Sequence, residues 1–245
     1  MNKKTTGNQS KIIRESSGIK EIDSMIDGGF PKGSVIGLSG PPGVGKSIFS
    51  LHFILEGARK GETSIYINLE EPRRNIENMI SQFDFAEEFF ALEKKGLIIT
   101  KCFDYPEYEK IHEELLLRIK NDKKIKRLVI DSFNCFFRSL DVPTESQKNV
   151  NVKKMINESF YHMRRNSLTT MLILEKSNEG NNFDANTFDY NIPYLVDGTI
   201  KLDFLDFGTI ERTVFIPKMR WTNQYKESKS YNISNSGIII EEYEE

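Results

Sequence analysis

The segment from Gly40 to Ser47 reads GPPGVGKS and fits the pattern G-x-x-x-x-G-K-[ST] at every fixed position. No other feature limits the fold as strongly, because the pattern works only between a strand and a helix. SVIGLS (34–39) is a short apolar run bounded by glycines, which predicts a buried strand. Lys46 to Ala58 predicts a helix that is apolar on most of its sides. Between them Gly40, Gly43 and Gly45, spaced by Pro41, Pro42 and Val44, let the backbone curl until several N–H groups point inward. The helix opening at Lys46, Ser47 and Ile48 adds the positive end of its dipole. Such a loop cradles phosphate. Lys46 would reach the β and γ phosphates of ATP, and Ser47 would offer its hydroxyl to Mg²⁺, a cation that prefers oxygen ligands. A chance glycine-rich turn would not need the flanking strand and helix.

The rest of the chain continues that alternation. TSIYINL (63–69), LIITKCF (97–103), RLVIDSF (127–133) and TTMLILE (169–175) read as strands. Residues 72–83, 107–121 and 151–166 carry apolar side chains at helical spacing, as in Ile76, Met79, Ile80 and Phe83. Strands alternating with helices predict an α/β fold with a mostly parallel central sheet covered on both faces. The rhythm then changes. Residues 197–207 and 209–220 form a hairpin signal around Gly208, and 231–234 with 237–243 form a second around Asn235 and Ser236. The C-terminal part therefore reads as antiparallel hairpins added to the α/β core. Residues 1–15 are polar, basic and aperiodic, which predicts a flexible arm before a single domain over 16–245.

Composition excludes several classes. The 245 residues hold 34 Lys and Arg against 36 Asp and Glu, a net charge of −2 that does not advertise nucleic-acid binding. No apolar run approaches the length of a membrane span, and the N-terminus has no secretory h-region. The two cysteines, Cys102 and Cys135, make neither a disulfide scaffold nor a zinc site and suit a reducing cytoplasm.

Two acidic features bear on chemistry. Asp131 ends the apolar run RLVID, where it would hold Mg²⁺ through a water; the plainer alternative is a strand-end cap. Two strand-like runs lie between Ser47 and Asp131, which suits a sheet with another strand inserted between the loop strand and the Asp strand. Glu70 and Glu71 follow a strand directly, at the edge where parallel sheets bind ligands. A carboxylate there would orient the attacking water and take its proton. Equally, two glutamates suit a solvated helix start. Side chains of adjacent residues diverge, so only one would be the base. Glu175 ends another strand and would face the γ-phosphate, or be a simple strand-end acid. His52, His112 and His162 sit on separate helices and read as packing or surface residues. The basic run KNDKKIKR (120–127) reads as a solvated helix end, and the tail EEYEE as frayed.

With SGIKEID leading into the phosphate loop, then YINLEE, LVIDS, TTMLILE, VDGTIKLDF and RTVFIPKMR in order, the chain resembles the KaiC-like branch of the RecA superfamily, in its single-domain prokaryotic or archaeal form. The resemblance runs from about Ser17 to Glu242. It implies a RecA-like P-loop fold, binding of ATP and Mg²⁺, ATP hydrolysis, and a homohexameric ring with ATP at each subunit interface. It implies that Glu70 and Glu71 are the catalytic glutamates, with Lys46, and that Lys218 and Arg220 reach the neighbouring subunit's γ-phosphate. A cation delivered in trans stabilises charge on the transferring phosphoryl group. Such a chain would be a nucleotide-controlled regulatory or assembly protein, with an unidentified protein partner conceivable. Two departures stand out. Trp221 occupies a position usually held by glycine, which bears on ring geometry. Pro193 and Tyr194 stand where two-domain members carry a phosphorylated Ser-Thr pair, so a Ser/Thr autokinase cycle is not expected. The alternatives are a RecA-type or RadA-type paralog that binds single-stranded DNA, and a nucleotide-dependent signalling scaffold with little hydrolysis.

Overall fold

In the computed structural model, the described residues are 12–103, 108–135, 145–175, 192–206 and 208–240. Their centre is a nine-stranded sheet. Six strands are parallel: β3 (Val35–Gly40), β4 (Thr63–Asn68), β5 (Ile98–Cys102), β6 (Ile125–Asp131), β7 (Thr169–Glu175) and β8 (Gly198–Asp206). Three antiparallel strands extend it: β9 (Ile210–Met219), β10 (Lys229–Ser234) and β11 (Gly237–Ile240). The spatial order is β11-β10-β9-β8-β3-β7-β6-β4-β5. The fold class read from the alternation is the one observed. A strand does sit between the loop strand β3 and the Asp strand β6, as the spacing suggested; that strand is β7, an order the sequence does not show.

The apolar runs are continuous because the parallel strands are covered on both faces. Side chains alternate between two cores. Met171 and Ile173 of β7 join Ile36, Leu38, Tyr66 and Val129 on the face covered by α2 (Lys46–Arg59), through Phe49, Phe53 and Ile54. Leu172 and Leu174 join Ile65, Ile67, Leu128 and Ile130 on the other face. There they meet α5 (Tyr108–Asn121) through Leu115 and Ile119, and α6 (Glu145–Arg165) through Val152, Ile156 and Phe160. The remaining helices are α1 (Lys20–Met25), α3 (Arg73–Ile80), α4 (Ala86–Lys94) and the single turn α7 (Ile192–Leu195). The helix expected over 72–83 stops at Ile80, and α4, which periodicity did not single out, follows it.

Two expectations need correction. The flexible arm assigned to residues 1–15 does not extend to its last residues. Arg14 and Glu15 form β1 (Arg14–Glu15), paired with β2 (Phe30–Pro31), and Glu15 is buried. Arg14 satisfies the carbonyls of Ile26, Gly29 and Trp221 at 2.9–3.1 Å, a long-range contact invisible in the local pattern. Residues 1–11 and the tail 241–245 lie outside the described residues, and β11 is described only to Ile240. The basic run 120–127 is not one solvated surface. Its Arg127 is fully buried, ion-paired to Glu62 at 2.7 Å, bonded to the carbonyls of Ser16 and Phe53, and stacked 4.7 Å over the Phe53 ring. Gly57 makes room for it, since a Cβ there would lie 2.4 Å from Arg127 Cδ.

His52 is a packing residue. Its Nε2 accepts the Ile238 N–H at 3.0 Å and so ties the β10–β11 hairpin to α2. Burial holds its pKa down to about 4, keeping the ring neutral and able to accept. His162 sits in α6; the side chain of His112 lies outside the described residues.

Candidate functional site

The carboxyl ends of the parallel strands form one edge: Gly40 of β3 pairs with Glu175 of β7, and Asn68 of β4 pairs with both Asp131 of β6 and Cys102 of β5. The phosphate loop crosses this edge into α2. Gly45 caps the helix with φ +106° and Gly43 has φ +77°, conformations that side chains with a Cβ disfavour. Gly40 is required for a different reason, because a Cβ would lie 2.4 Å from the Leu202 carbonyl oxygen. The C-terminal hairpin braces the loop. Tyr231 donates its hydroxyl to the Val44 carbonyl at 2.5 Å, and Ile233 packs over Gly45. Pro42 and Gly43 are exposed at the loop tip, and Ile48 packs against the core.

Several of the expected site side chains converge on this loop. Lys46 Nζ donates to the carbonyls of Gly40 and Pro41 at 2.9 and 3.0 Å. Burial lowers its pKa, opposed by the negative charges of Asp131, Glu175 and Glu70. Ser47 Oγ donates to Asp131 Oδ2 at 2.7 Å, and Tyr66 donates to the same oxygen at 2.7 Å. Asp131 is 4% exposed, and burial raises its pKa against those two bonds and the Lys46 charge. Here the structure brings together Lys46, Ser47, Asp131 and Glu70, four residues that the sequence singled out. Glu175 is at the same edge, its backbone N–H held by Asn134 Oδ1 at 3.1 Å.

Glu70 and Glu71 part company, as adjacency demands. Their backbone N–H groups both bond Asn68 Oδ1, at 2.9 and 2.6 Å, which fixes the turn leaving β4. The Glu70 carboxylate then accepts from Ser132 Oγ at 2.5 Å, whereas Glu71 accepts from Asn75 at 2.5 Å along the chain toward α3.

Tyr66, Asn68, Ser132 and Cys135 complete the edge and were not singled out as site residues. One signal was present for two of them: Tyr66 and Asn68 alternate within an apolar strand, and both are buried. A polar group so placed needs a partner. Ser132 and Cys135 carry no such mark.

Lys218 and Arg220 are elsewhere. Lys218 pairs with Thr199, which pairs with Gly37 near the start of β3, so the two lie toward the opposite edge from their own phosphate loop. Lys218 Nζ donates to the carbonyls of Pro193, Tyr194 and Val196, and Arg220 pairs with Asp197 at 3.0 Å. Burial, then the charge of Arg220, lowers the Lys218 pKa. Asp197 is 2% exposed and also binds Arg164 and the Val35 N–H. Next along the chain, Trp221 adopts φ +57° and is exposed, its carbonyl held by Arg14.

No helix among the described residues is long and apolar enough to cross a membrane. A UPF0273 protein of Thermotoga maritima is 28% identical, covering 94% of this chain and 96% of its own. The circadian clock oscillator protein KaiC of Rippkaea orientalis is 29% identical over 96% of this chain, which matches 43% of that longer protein. Among solved structures, a KaiC-like protein from the hyperthermophilic archaeon Pyrococcus horikoshii OT3 superposes with a TM-score of 0.76 at 28% identity, covering 94% of this chain and all of the other. The family profile described as "ATPase: KaiC" matches residues 15–245, nearly the whole chain. The braced phosphate loop and its Asp partner thus sit within a match of that length, and the chain belongs to the KaiC ATPase family.

Proposed function

We propose that this protein binds ATP with Mg²⁺ and hydrolyses it, and that nucleotide state controls its assembly into a homo-oligomeric ring. The observation that carries this reading is the Ser47–Asp131 hydrogen bond at the phosphate loop. It joins a hydroxyl and a carboxylate from distant segments at the mouth of an anion cradle, and it favours the carboxylate charge that burial of Asp131 opposes.

The donor set fits Mg²⁺. It is composed of hard oxygens, the Ser47 hydroxyl and the Asp131 carboxylate. Ser47 would hold the ion directly and Asp131 through water. When bound, Mg²⁺ neutralises charge on the phosphate oxygens. The chain's own residues do the rest. Loop N–H groups and the α2 N-terminus bind the phosphates, and Lys46 leaves its carbonyl partners for the β and γ oxygens. Glu70 orients a water and accepts its proton as oxygen attacks the γ-phosphorus. The bond to the β-phosphate oxygen breaks, and ADP departs with that electron pair. Lys218 and Arg220, remote from their own loop, would serve the ATP of a second copy.

The test combines binding and turnover. ATP with Mg²⁺ should stabilise the native protein by RT ln(1 + [L]/Kd), about 2.7 kcal/mol at a hundredfold excess over Kd. Lys46→Ala should lose most of that gain. Glu70→Gln should keep it while hydrolysis falls about 10²–10⁴-fold. A melting temperature unmoved by millimolar ATP would sink the binding reading. Undiminished turnover in Glu70→Gln would sink the base assignment, and absent turnover in the native protein would make it a nucleotide-dependent scaffold.

A further inference from the structure

We propose that Ser132 is a positioning residue that holds Glu70 as the base, and that Glu71 does not share the role; this rests on the ATPase reading. Ser132 is fully buried, and its Oγ donates to Glu70 Oε1 at 2.5 Å. The buried Cys135 thiol reaches the same oxygen at 3.4 Å. The serine and cysteine lie 3.5 Å apart, so one carboxylate oxygen of an exposed glutamate rests in a clasp of two side chains. The other oxygen stays available to a water.

The clasp belongs to the residues directly after β6. Asp131 is the last residue of that strand and binds Ser47 of the phosphate loop, and Ser132 is the next residue and binds Glu70. Consecutive residues therefore fix the loop and the base relative to one another. Phe133 N–H, bonded to the Ile173 carbonyl at 2.9 Å, anchors the same turn to β7. A base held by one flexible three-torsion side chain would sample many positions. A hydrogen bond to an ionised carboxylate is among the stronger ones, and it selects the rotamer that faces the loop. Glu71 has no tie to this turn. It is exposed, and its carboxylate is bound to Asn75, one helical turn farther along.

A double-mutant cycle tests the assignment on the full chain. Ser132→Ala should lower kcat for ATP hydrolysis about 10–100-fold with KM for ATP unchanged, the range expected for losing a charge-assisted hydrogen bond. Ser132→Thr, which keeps the hydroxyl, should recover most of the rate. In a Glu70→Gln background, Ser132→Ala should add little, whereas in a Glu71→Gln background it should keep its full effect. Cys135→Ala, which removes the longer contact, should cost less than tenfold and also nothing further on Glu70→Gln. If Ser132→Ala unfolds the chain, Cys135→Ala carries the same cycle through the second contact to Glu70. An equal fractional loss in both glutamate backgrounds would overturn the clasp while leaving Glu70 as base. Native turnover in Glu70→Gln would instead remove the base reading on which the clasp depends.

Discussion

At the carboxyl edge of the parallel strands, Lys46 donates to two backbone carbonyls of its own loop, with Asp131, Glu175 and Glu70 as surrounding charge. Toward the opposite edge, Lys218 closes the last turn of α7 through three carbonyls, and Arg220 shares the buried Asp197 with Arg164. Both regions gather cations. At the first edge the partners are acids and loop carbonyls that a phosphate and its metal would reorganise. At the second they are groups that the fold itself must satisfy, since a helix C-terminus and a buried carboxylate need donors regardless of function. A motif read from sequence thus converges within one chain at one edge, whereas at the other each residue already has a structural use. Under the proposed function, the chemistry of that second edge would come from a second copy.

The largest expected effect tests that second edge. Lys218→Ala with Arg220→Ala should lower hydrolysis about 10³–10⁵-fold if the pair acts as a trans finger. Mixed with the Glu70→Gln, Glu71→Gln variant under subunit exchange, activity should partly return, because some interfaces then join an intact base to an intact finger. A mixture as inactive as its components, with exchange confirmed by native mass, would confine both cations to their structural contacts.

A smaller effect probes the hairpin that braces the first edge. His52 is neutral when folded, with a pKa near 4, well below its ordinary value of 6.5. The unfolded chain takes up the proton first as pH falls. Stability is therefore full above pH 6.5, declines between 6.5 and 4, and levels off below. The total loss should be on the order of 3 kcal/mol at about 1.4 kcal/mol per pKa unit. Urea unfolding of the native protein and of His52→Gln across this window measures it. A native curve that falls no more steeply than the glutamine variant would show that other groups set the acid limb.

The smallest effect separates fold from function at Arg220. Its side chain is 46% exposed, and Asp197 keeps Arg164 and the Val35 N–H when it is gone. Arg220→Ala should then cost at most about 1 kcal/mol of stability. A loss of several kcal/mol, measured by denaturant unfolding, would make Arg220 chiefly a structural residue and deepen the contrast between the edges.

The glutamate pair shows where legibility stopped. Sequence placed both residues at the correct edge, but not the direction of either carboxylate, because that depends on Ser132 and Asn75, one distant and one local. Arg127 shows the same limit from the other side. Within a run of lysines it reads as solvated, yet Glu62, Phe53 and the gap at Gly57 enclose it.

The sequence by itself determined what contiguous residues control. Glycines at Gly43 and Gly45 set the loop's backbone torsions, apolar runs set the strands, and strand-to-helix alternation set a parallel sheet. Only the tertiary structure decided that the strand inserted between β3 and β6 is β7, the anchoring of Arg14 and Glu15, the clasp on Glu70 and the separation of Lys218 and Arg220 from their own loop. Backbone stereochemistry and periodicity act over a few residues and leave a local mark. Strand order, buried polar partners and the reach of a side chain arise from segments far apart in the chain, and their energies appear only when those segments pack.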